Sequence, residues 1–411
     1  QDQLFHRDLP AVRDALAVPV KTALLKGRSN YLCWHHLERA NQEASLLGSR
    51  QEVKDLGLIN RFIHLTPTGD KAECPSVPEH ASIWARVTST RENCLGSECK
   101  HYADCFVMKA RREAQDSDVV VVNHHLFFAD LMLREEGVPE LLPNAQTIIF
   151  DEAHQLPDTA TLFFGETLST AQLLDFLRDA LATGQAQARD AAHWPDLLAP
   201  LDRATRDLRL SFGPTQQRTA HAQLGADHPL LPTLNRLREA LLAVDEVLES
   251  QAERSPELNQ LSRRAQGLRQ TLLAWGAPER ASEPELCWVD VGTHGIQLHR
   301  TPISVADVFK RQRLGLQAEP EDSAATDGAS TDSTGSDAPA PNTPPKRAWI
   351  FTSATLAVKN NFEHFTHGLG LDDAECASWS SPYDYPTQAM LYVPQGLPAP
   401  NHPDHTQAVV D

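Results

Sequence analysis

The feature that most constrains the fold is an apolar run that stops abruptly at two carboxylates, IIFDEAH over residues 148–154. Apolar runs of this kind are typical of parallel strands that are buried on both faces. Residues that follow such a strand lie at the carboxyl edge of the sheet, where open α/β proteins bind their ligands. The run therefore predicts an α/β domain and points to nucleotide chemistry, although an acidic helix cap after a strand would look the same.

Three side chains at the end of this run are candidate functional residues. In P-loop ATPases the aspartate that ends such a strand holds Mg²⁺ and helps to neutralise the phosphates. Asp151 is the candidate for this role, and Glu152 beside it is placed to orient or deprotonate the attacking water. His154 is then the candidate residue that senses hydrolysis and passes the signal on.

Two further apolar runs predict strands. VVVV at 119–122 is followed by Asn-His-His, and WIF at 349–351 is followed by the hydroxyl-bearing TSAT at 352–355. We expect the first of these to join the acidic run, so that residues 116–155 hold two strands of one sheet. Because no Cys or carboxylate stands at ligand spacing beside the paired histidines, we interpret them as a strand-to-helix junction rather than a metal site.

The cysteines are unevenly distributed, and three of them are clustered. Cys94, Cys99 and Cys105 have four and then five residues between them, and Cys33 is a plausible fourth ligand. Four thiolates suit either a tetrahedral zinc ion or a [4Fe-4S] cluster. Because the short C-x₂-C pairs of common zinc sites are missing, the spacing favours iron–sulfur. The other cysteines are predicted to be free: Cys74, Cys287 and Cys376.

Basic residues follow the third clustered cysteine. Lys109, Arg111 and Arg112 make this segment locally positive, although the whole chain has a formal net charge of -18. Such an acidic protein is not expected to coat nucleic acid indiscriminately, but a local basic channel remains compatible with it. We expect these three residues to contact a DNA strand; the alternative is that they form an ordinary solvated face.

The middle of the chain has the period of helices. Apolar residues recur at helical spacing from about 156 to 275 and predict an inserted helical domain, and alternation over 287–304 predicts a β-hairpin. Residues 318–345 are rich in Ala, Ser, Thr, Asp and Pro without a basic residue, and are predicted to be disordered. The apolar stripes are Leu173, Leu174, Leu177 and Leu181; Leu237, Leu241, Val244 and Leu248; and Leu258, Leu261, Ala265, Leu268 and Leu272.

The size of the chain and its termini set broader expectations. A chain of 411 residues exceeds one typical domain, so about two to four domains are expected. No apolar run approaches the roughly 20 residues that a membrane span needs, and no secretory leader opens the chain. We therefore expect a cytoplasmic protein. Because the first residue is Gln and not Met, we interpret the chain as an internal piece of a longer protein.

Taken together, these features resemble the XPD-like superfamily 2 iron–sulfur DNA helicases, and the bacterial DinG/YoaA branch fits best. The resemblance covers nearly the whole chain apart from the acidic segment. The stretches that carry it are LLKGRSNYLC, NCLGSEC followed by DCFVMKAR, VVVVNHHLF, FDEAHQLPD and FTSATL.

This resemblance implies an α/β fold: a RecA-like P-loop NTPase motor domain, present in part, with a [4Fe-4S] cluster insert and an α-helical arch insert. The implied divisions are motor domain 1 at 1–31, 116–155 and 286–356, the cluster domain at 32–115, the arch domain at 156–285, and the start of motor domain 2 at 357–411.

The resemblance also assigns roles to residues. Asp151 and Glu152 match the Mg²⁺ ligand and the catalytic base of motif II, and His154 matches the residue that couples hydrolysis to DNA. The four cluster ligands are matched by Cys33, Cys94, Cys99 and Cys105. Motif III, which links the nucleotide state to strand movement, is matched by Ser353, Ala354 and Thr355.

The implied activity is that of an ATP-dependent helicase that moves 5′ to 3′ on single-stranded and forked DNA in replication or repair, using ATP and Mg²⁺. No Gly-x-x-x-x-Gly-Lys-Ser/Thr loop occurs in the 411 residues, nor any arginine-bearing motif of a second motor domain. We therefore expect this chain alone not to hydrolyse ATP appreciably. Two alternatives stay open: a non-catalytic module that grips single-stranded DNA, and a zinc-stabilised scaffold without a nucleotide role.

Overall fold

The structure is a computed structural model. The acidic segment at 318–345, predicted to be disordered, lies outside the residues that it describes. No helix of the described residues is long and apolar enough to cross a membrane. The described residues are 1–44, 48–135, 142–213, 216–225, 227–277, 285–314, 347–391, 394–400 and 402–410.

Four short strands form two separate parallel pairs. Strand β1 (Thr22–Leu24) pairs with β2 (Val119–Val121), and β3 (Thr147–Phe150) pairs with β8 (Ala348–Phe351). The expectation that β2 and β3 are strands of one sheet was therefore wrong for the described residues, because they share no hydrogen-bonded ladder. The partner of each strand comes from a remote part of the chain, so local sequence carries no information about which strand it joins.

The pair β3/β8 is covered on one face only. Phe150 lies opposite Phe351 in the register, with their rings stacked at 5.1 Å between centroids. They share an apolar cluster with Phe127 and Phe309. On the other face Ile149 is 65% exposed. The helices that contribute to the covered side are α6 (His124–Glu135), α7 (Leu156–Phe163), α12 (Ala306–Leu314) and α13 (Glu363–Gly368).

Residues 31–115, called the cysteine-rich region below, form a compact unit of short helices and loops. Its core is built on Ile59, Ile83 and Trp84, which are at most 5% exposed. The residue before α2 and the residue before α5 are both cysteines, so the helix starts position two of the predicted ligands. The helices are α2 (Trp34–Gln42), α3 (Arg50–Phe62), α4 (Trp84–Val87) and α5 (Phe106–Gln115).

Residues 166–302, called the helical region below, contain four long helices and an antiparallel sheet. The apolar stripes predicted from the sequence lie in one core, with Leu237, Leu241 and Leu248 fully buried. Leu174 is the exception: it is 36% exposed, so its place in the first stripe was wrong. The first helix starts at a capping box, in which Ser169 accepts a hydrogen bond from the backbone N–H of Gln172. The helices are α8 (Thr170–Gln187), α9 (Trp194–Leu210), α10 (Leu230–Gln251) and α11 (Pro256–Gly276).

The predicted β-hairpin is present, but it belongs to the helical region. Strands β6 (Glu285–Val291) and β7 (Ile296–Pro302) are the centre of a four-stranded sheet, and the inner side chains of both strands lie in the helical core. The boundary expected at 285 therefore moves to about 302, because a sheet with one apolar face needs a helix layer to cover it. In the order β4-β7-β6-β5, the outer strands are β4 (Glu166–Ser169) and β5 (Gln217–Ala220).

The remaining helices lie at the periphery and bury no residues. They are α1 (Leu9–Leu16), which continues a π-helical turn at Leu4–Asp8, α14 (Tyr385–Gln388) and α15 (His405–Val410).

Candidate functional site

The parallel register of β3 and β8 brings the DEAH segment and the TSAT segment together. Beyond the strand ends, the N–H of Thr352 donates to the Phe150 carbonyl at 2.8 Å, and the N–H of Ala153 donates to the Thr352 carbonyl at 3.0 Å. These bonds continue the ladder through both segments. The two polar strand ends therefore lie at one edge of the pair.

Side chains of the two segments are in direct contact. His154 Nδ1 is 2.9 Å from Ser353 Oγ, and Ser353 Oγ donates to Glu152 Oε2 at 3.3 Å. Thr352 Oγ1 lies 3.4 Å from Asp151 Oδ1. Ser353 thus contacts the Glu152 carboxylate and the His154 imidazole at once, and Asp151 is bonded to the same segment through Thr352.

Two neighbours complete the TSAT turn. The N–H of Thr355 donates to Ser353 Oγ at 3.2 Å, which fixes the direction of the serine hydroxyl. Ala354 between them contributes no polar side chain.

Glu152 has an unusual backbone conformation. Its φ is 51°, in the left-handed region that a residue with a side chain adopts at a cost of about 1–2 kcal/mol. The turn directs the carboxylate outward, where the side chain is 58% exposed. Strained backbone of this kind concentrates at functional sites. The conformation therefore presents the acid at the edge of the strand pair and does not bury it.

His124, interpreted from the sequence as part of a strand-to-helix junction, lies behind this site. It starts α6, and Asn123 before it accepts a hydrogen bond from the Leu126 N–H at 2.7 Å. Burial lowers the pKa of the His124 imidazole, although a hydrogen bond to the Asp151 backbone opposes this shift. The contact of His124 with the acidic segment was not expected from the sequence, because an Asn-His-His run indicates only the start of a helix.

The four predicted cysteine ligands line a single cavity of about 80 Å³. The apolar and aromatic side chains of Trp34, Leu95 and Tyr102 line the same cavity. The other cysteines are free and lie elsewhere, Cys74 and Cys287 buried and Cys376 exposed. The structure therefore gathers the set that the sequence singled out: Cys33, Cys94, Cys99 and Cys105.

The thiols of this cavity influence each other. Burial raises the pKa of the Cys33 thiol to about 12, and repulsion from Cys94 and Cys99 contributes to the rise. Burial also raises the pKa of Cys99, with Cys94 and Cys105 adding to it. Among the described residues, no group of three or more His, Cys, Asp or Glu side chains stands close enough to hold a single metal ion.

The three basic residues predicted to contact DNA do not share one surface. Lys109 and Arg112 are exposed, and Lys109 Nζ donates to the Pro67 carbonyl at 2.8 Å. Arg111 instead lines the cysteine cavity together with Arg28. Burial lowers the pKa of the Arg111 guanidinium, and repulsion from Arg28 adds to this effect.

A charged junction joins the cysteine-rich region to the helical region. Asp179 on α8 accepts from Arg39 of α2 and from Arg264 of α11, both at 2.7 Å. Arg264 also lies 3.4 Å from Glu92, whose carboxylate accepts from Gln172 at 3.1 Å. These residues border a cavity of about 350 Å³ between the regions. No sequence pattern indicated this network, because its members come from four distant segments.

Comparison with known proteins adds a second line of evidence. A scan against protein-family models finds none that matches. The ATP-dependent DNA helicase YoaA of Escherichia coli K12 is 39% identical over 406 residues, which are 98% of this chain and 58% of that protein. The protein of the same name in Haemophilus influenzae is 36% identical over the same shares. The ATP-dependent helicase DinG of Mycobacterium tuberculosis H37Rv is 33% identical over 42% of this chain and 28% of its own length.

The fold and the comparison point to the same class of protein. A mixed α/β fold whose parallel strands end in the DEAH and TSAT segments fits a helicase motor domain. By sequence the chain is similar to helicases named YoaA over 98% of its length and to a helicase named DinG over 42%. The chain spans 58% of the length of the two YoaA relatives, so the activity of those whole proteins also depends on residues that have no counterpart here.

Proposed function

We propose that the intact protein is an ATP-dependent DNA helicase that moves 5′ to 3′ on single-stranded and forked DNA in the cytoplasm, in replication or repair. The observation that carries this proposal is the hydrogen-bonded group formed by the DEAH and TSAT segments. A nucleotide-driven motor needs a group that responds to phosphate cleavage and transmits the response, and this group has both parts.

The chemistry assigned to the site follows from its contacts. Asp151 supplies an oxygen ligand for the Mg²⁺ that neutralises the ATP phosphates. Glu152, exposed at the strand end, takes the proton of the water that attacks the γ-phosphate. Ser353 contacts Glu152 and His154 together, so a proton on the carboxylate changes the hydrogen bond that the imidazole receives. This is the route by which hydrolysis reaches the second segment.

The phosphate-binding part of the reaction needs groups beyond these acids. P-loop enzymes hold the β- and γ-phosphates with backbone N–H groups and a lysine, and the 411 residues contain no sequence of that pattern. Two carboxylates beside a polyanionic nucleotide bind it weakly without such donors. Activity is therefore proposed for the intact protein, and the 411-residue chain alone is not expected to hydrolyse ATP appreciably.

We infer that the cysteine cavity holds a [4Fe-4S] cluster and not a zinc ion. At Zn–S bonds of about 2.3 Å, four sulfurs around one zinc lie roughly 3.8 Å apart. In a [4Fe-4S] cluster each sulfur binds a different iron, which sets the sulfurs farther apart. The four thiols line one cavity, and their spacing in the sequence, which lacks a C-x₂-C pair, supports the second arrangement. When bound, the cluster would cross-link the loops of the cysteine-rich region.

DNA binding is assigned to two places: the exposed basic side of α5, and the passage between the cysteine-rich region and the helical region. The helical region is the part that we assign to the arch domain. Lys109 and Arg112 can reach phosphates because both side chains are exposed, although Lys109 must give up its hydrogen bond to the Pro67 carbonyl to do so. Their replacement by Ala should weaken binding of single strands of every sequence, since phosphate contacts carry no sequence information.

The assignment of the acids is tested by Glu152→Gln in the intact protein. DNA-stimulated ATP hydrolysis should fall by about 10²- to 10⁴-fold, because the amide cannot accept the proton of water. Binding of ATP should be retained, measured with a fluorescent analogue. Hydrolysis at the wild-type rate in this variant would overturn the proposed role and favour a non-catalytic module that only grips DNA.

The cofactor is tested by metal analysis of protein purified without oxygen. About four irons per chain are expected, and Cys105→Ser should lose them. Cys376→Ser is the matched control, because this thiol is exposed and outside the cavity. Cys74 is a poorer control, since it is buried in the core and its replacement carries a packing cost. Stoichiometric zinc without iron would instead support the zinc-stabilised scaffold.

A further inference from the structure

Arg111 is a charged side chain that has no carboxylate partner among the described residues. It lies on α5, six residues after Cys105, and lines the same cavity as the four cysteines. In the described part of the chain it makes no ion pair, and its side-chain hydrogen bond is a weak one to Met108 Sδ at 4.0 Å. Arg28 lines the same cavity, so two arginine side chains border it.

Such an arrangement is unfavourable unless an anion completes it. Removing a cation from water without a partner costs several kcal/mol by general estimates, and a second cation nearby adds repulsion. Neutral thiols do not compensate either charge. A [4Fe-4S] core held by four thiolates does, because its net charge in the oxidised state is roughly −2 and becomes more negative on reduction.

We propose that Arg111 is a positioning residue for the iron–sulfur cluster: its guanidinium neutralises the cluster charge and favours the reduced state. The inference rests on the cofactor proposed above. It removes Arg111 from the set of DNA-contacting residues and gives it a role inside the cavity. The cluster itself accepts one electron. The electron comes from an external donor with a potential as low as that of a flavodoxin or a ferredoxin, or from dithionite in the test tube.

The same helix provides the control. Arg112 is the next residue and carries the same charge, but its side chain is exposed and does not line the cavity. Lys109 is likewise exposed, with its ammonium bound to the Pro67 carbonyl. The helix thus presents one cation to the cysteines and two to solvent, which separates an effect of the cavity from an effect of surface charge.

The test is the reduction potential of the cluster in the intact protein, measured by dye-mediated titration followed by electron paramagnetic resonance. Arg111→Met should shift the potential to more negative values. The expected size is about a tenfold lower ratio of reduced to oxidised cluster at a fixed applied potential, which corresponds to about 59 mV for one electron. Arg112→Met should leave the potential unchanged. Arg111→Lys, which keeps the charge, should restore most of the wild-type value.

Several outcomes would overturn the inference. They are an unchanged potential in Arg111→Met with full iron content, or an equal shift in Arg112→Met. If the Arg111→Met protein holds no cluster, its potential cannot be measured and the iron content is compared instead. Arg111→Lys must then retain its iron, and an equal loss of iron in both variants rejects a role of the charge. A wild-type protein without iron would refute the proposed cofactor itself, a result distinct from these. Arg111→Met should also leave the salt dependence of single-strand binding unchanged, and a flatter slope would return Arg111 to the DNA surface.

Discussion

The interior of the helical region and its junction with the cysteine-rich region are held together by different forces. The interior is largely apolar, with Leu237, Leu241 and Val244 fully buried. The junction is charged: Asp179 lies between two arginines beside a cavity of about 350 Å³. Among the described residues, the buried apolar side chains of the two regions form separate clusters.

This difference indicates which parts act as units and where they can separate. Apolar burial scales with area and depends little on pH or salt, whereas ion pairs near a solvent-filled cavity depend on both. Polar interfaces between domains allow relative motion more readily than large apolar ones. We therefore expect each region to be stable by itself, and we expect changes of pH and salt to act mainly on the ion pairs of the junction.

The largest expected effect lies in the interior. Leu241→Ala should lower the free energy of unfolding of the helical region by about 2–5 kcal/mol, because it removes a fully buried side chain and leaves a cavity. Urea unfolding followed by circular dichroism measures this loss, which should be equal at low and high salt. Ile149→Ala, at a side chain that is 65% exposed, is the matched control and should change little. A strong salt dependence of the Leu241→Ala effect would contradict an apolar interior.

A smaller effect is expected at the junction. Asp179→Asn should weaken the contact between the regions by about 1–3 kcal/mol. One of the two hydrogen bonds to arginine is lost, the other is left with an uncharged amide oxygen as its acceptor, and the cavity allows water to replace part of them. Hydrogen exchange should rise in α2 and α8 near the junction and stay unchanged in the middle of α10. Uniformly faster exchange throughout the helical region would show that the junction and the interior are one unit.

The junction should also respond to acid. Burial raises the pKa of Asp179, but Arg39 and Arg264 outweigh it and hold the pKa below the ordinary value of 3.8. A depressed pKa contributes stability that is fully present above pH 3.8 and is lost as the pH falls through the lower value of the folded state. The stability difference between wild type and Asp179→Asn should therefore be constant at neutral pH and shrink below about pH 3.8. A difference that already shrinks at pH 6 would point to another group.

The smallest effect is expected for an ion pair on the outer surface of the helical region. Arg206 binds Asp202 at 2.9 Å one turn away on α9, and 64% of the arginine side chain is exposed. Arg206→Ala should cost no more than about 0.5 kcal/mol, because solvent and salt screen such pairs. Thermal unfolding in low and high salt measures it. A loss as large as that of Asp179→Asn would mean that location at the junction is not what gives Asp179 its importance.

Sequence patterns predicted the elements whose information is local. The helical stripes placed Leu237 and Leu241 in the core, and the apolar runs before Asp151 and Thr352 predicted two strand ends that the parallel register then joined. The grouping of the four cysteines in one cavity also followed their spacing.

What the sequence did not predict depends on contacts between distant segments. The separate strand pairs, the place of the β6/β7 hairpin and the Asp179 network are of this kind. Arg111 is an instructive case, because a signal was present. It follows Val107 by one helical turn and precedes buried Ala114 by three residues, which places it on the packed face of α5, whereas Lys109 and Arg112 are three apart on the other side.

The pairing of β4 with β7 has a consequence for the order of folding. Glu166 lies opposite Arg300, 134 residues later in the chain, so the helical region closes its own loop when it folds. The strands that carry the acidic segment and the TSAT segment are 201 residues apart, and this closure shortens the remaining loop to roughly a third, which saves about 1 kcal/mol of chain entropy. Pairings between distant residues are slow to form. We therefore expect the amides of the helical region to become protected from hydrogen exchange first in refolding. The DEAH and TSAT segments should come together last, after folding of the helical region has brought β3 and β8 closer to each other.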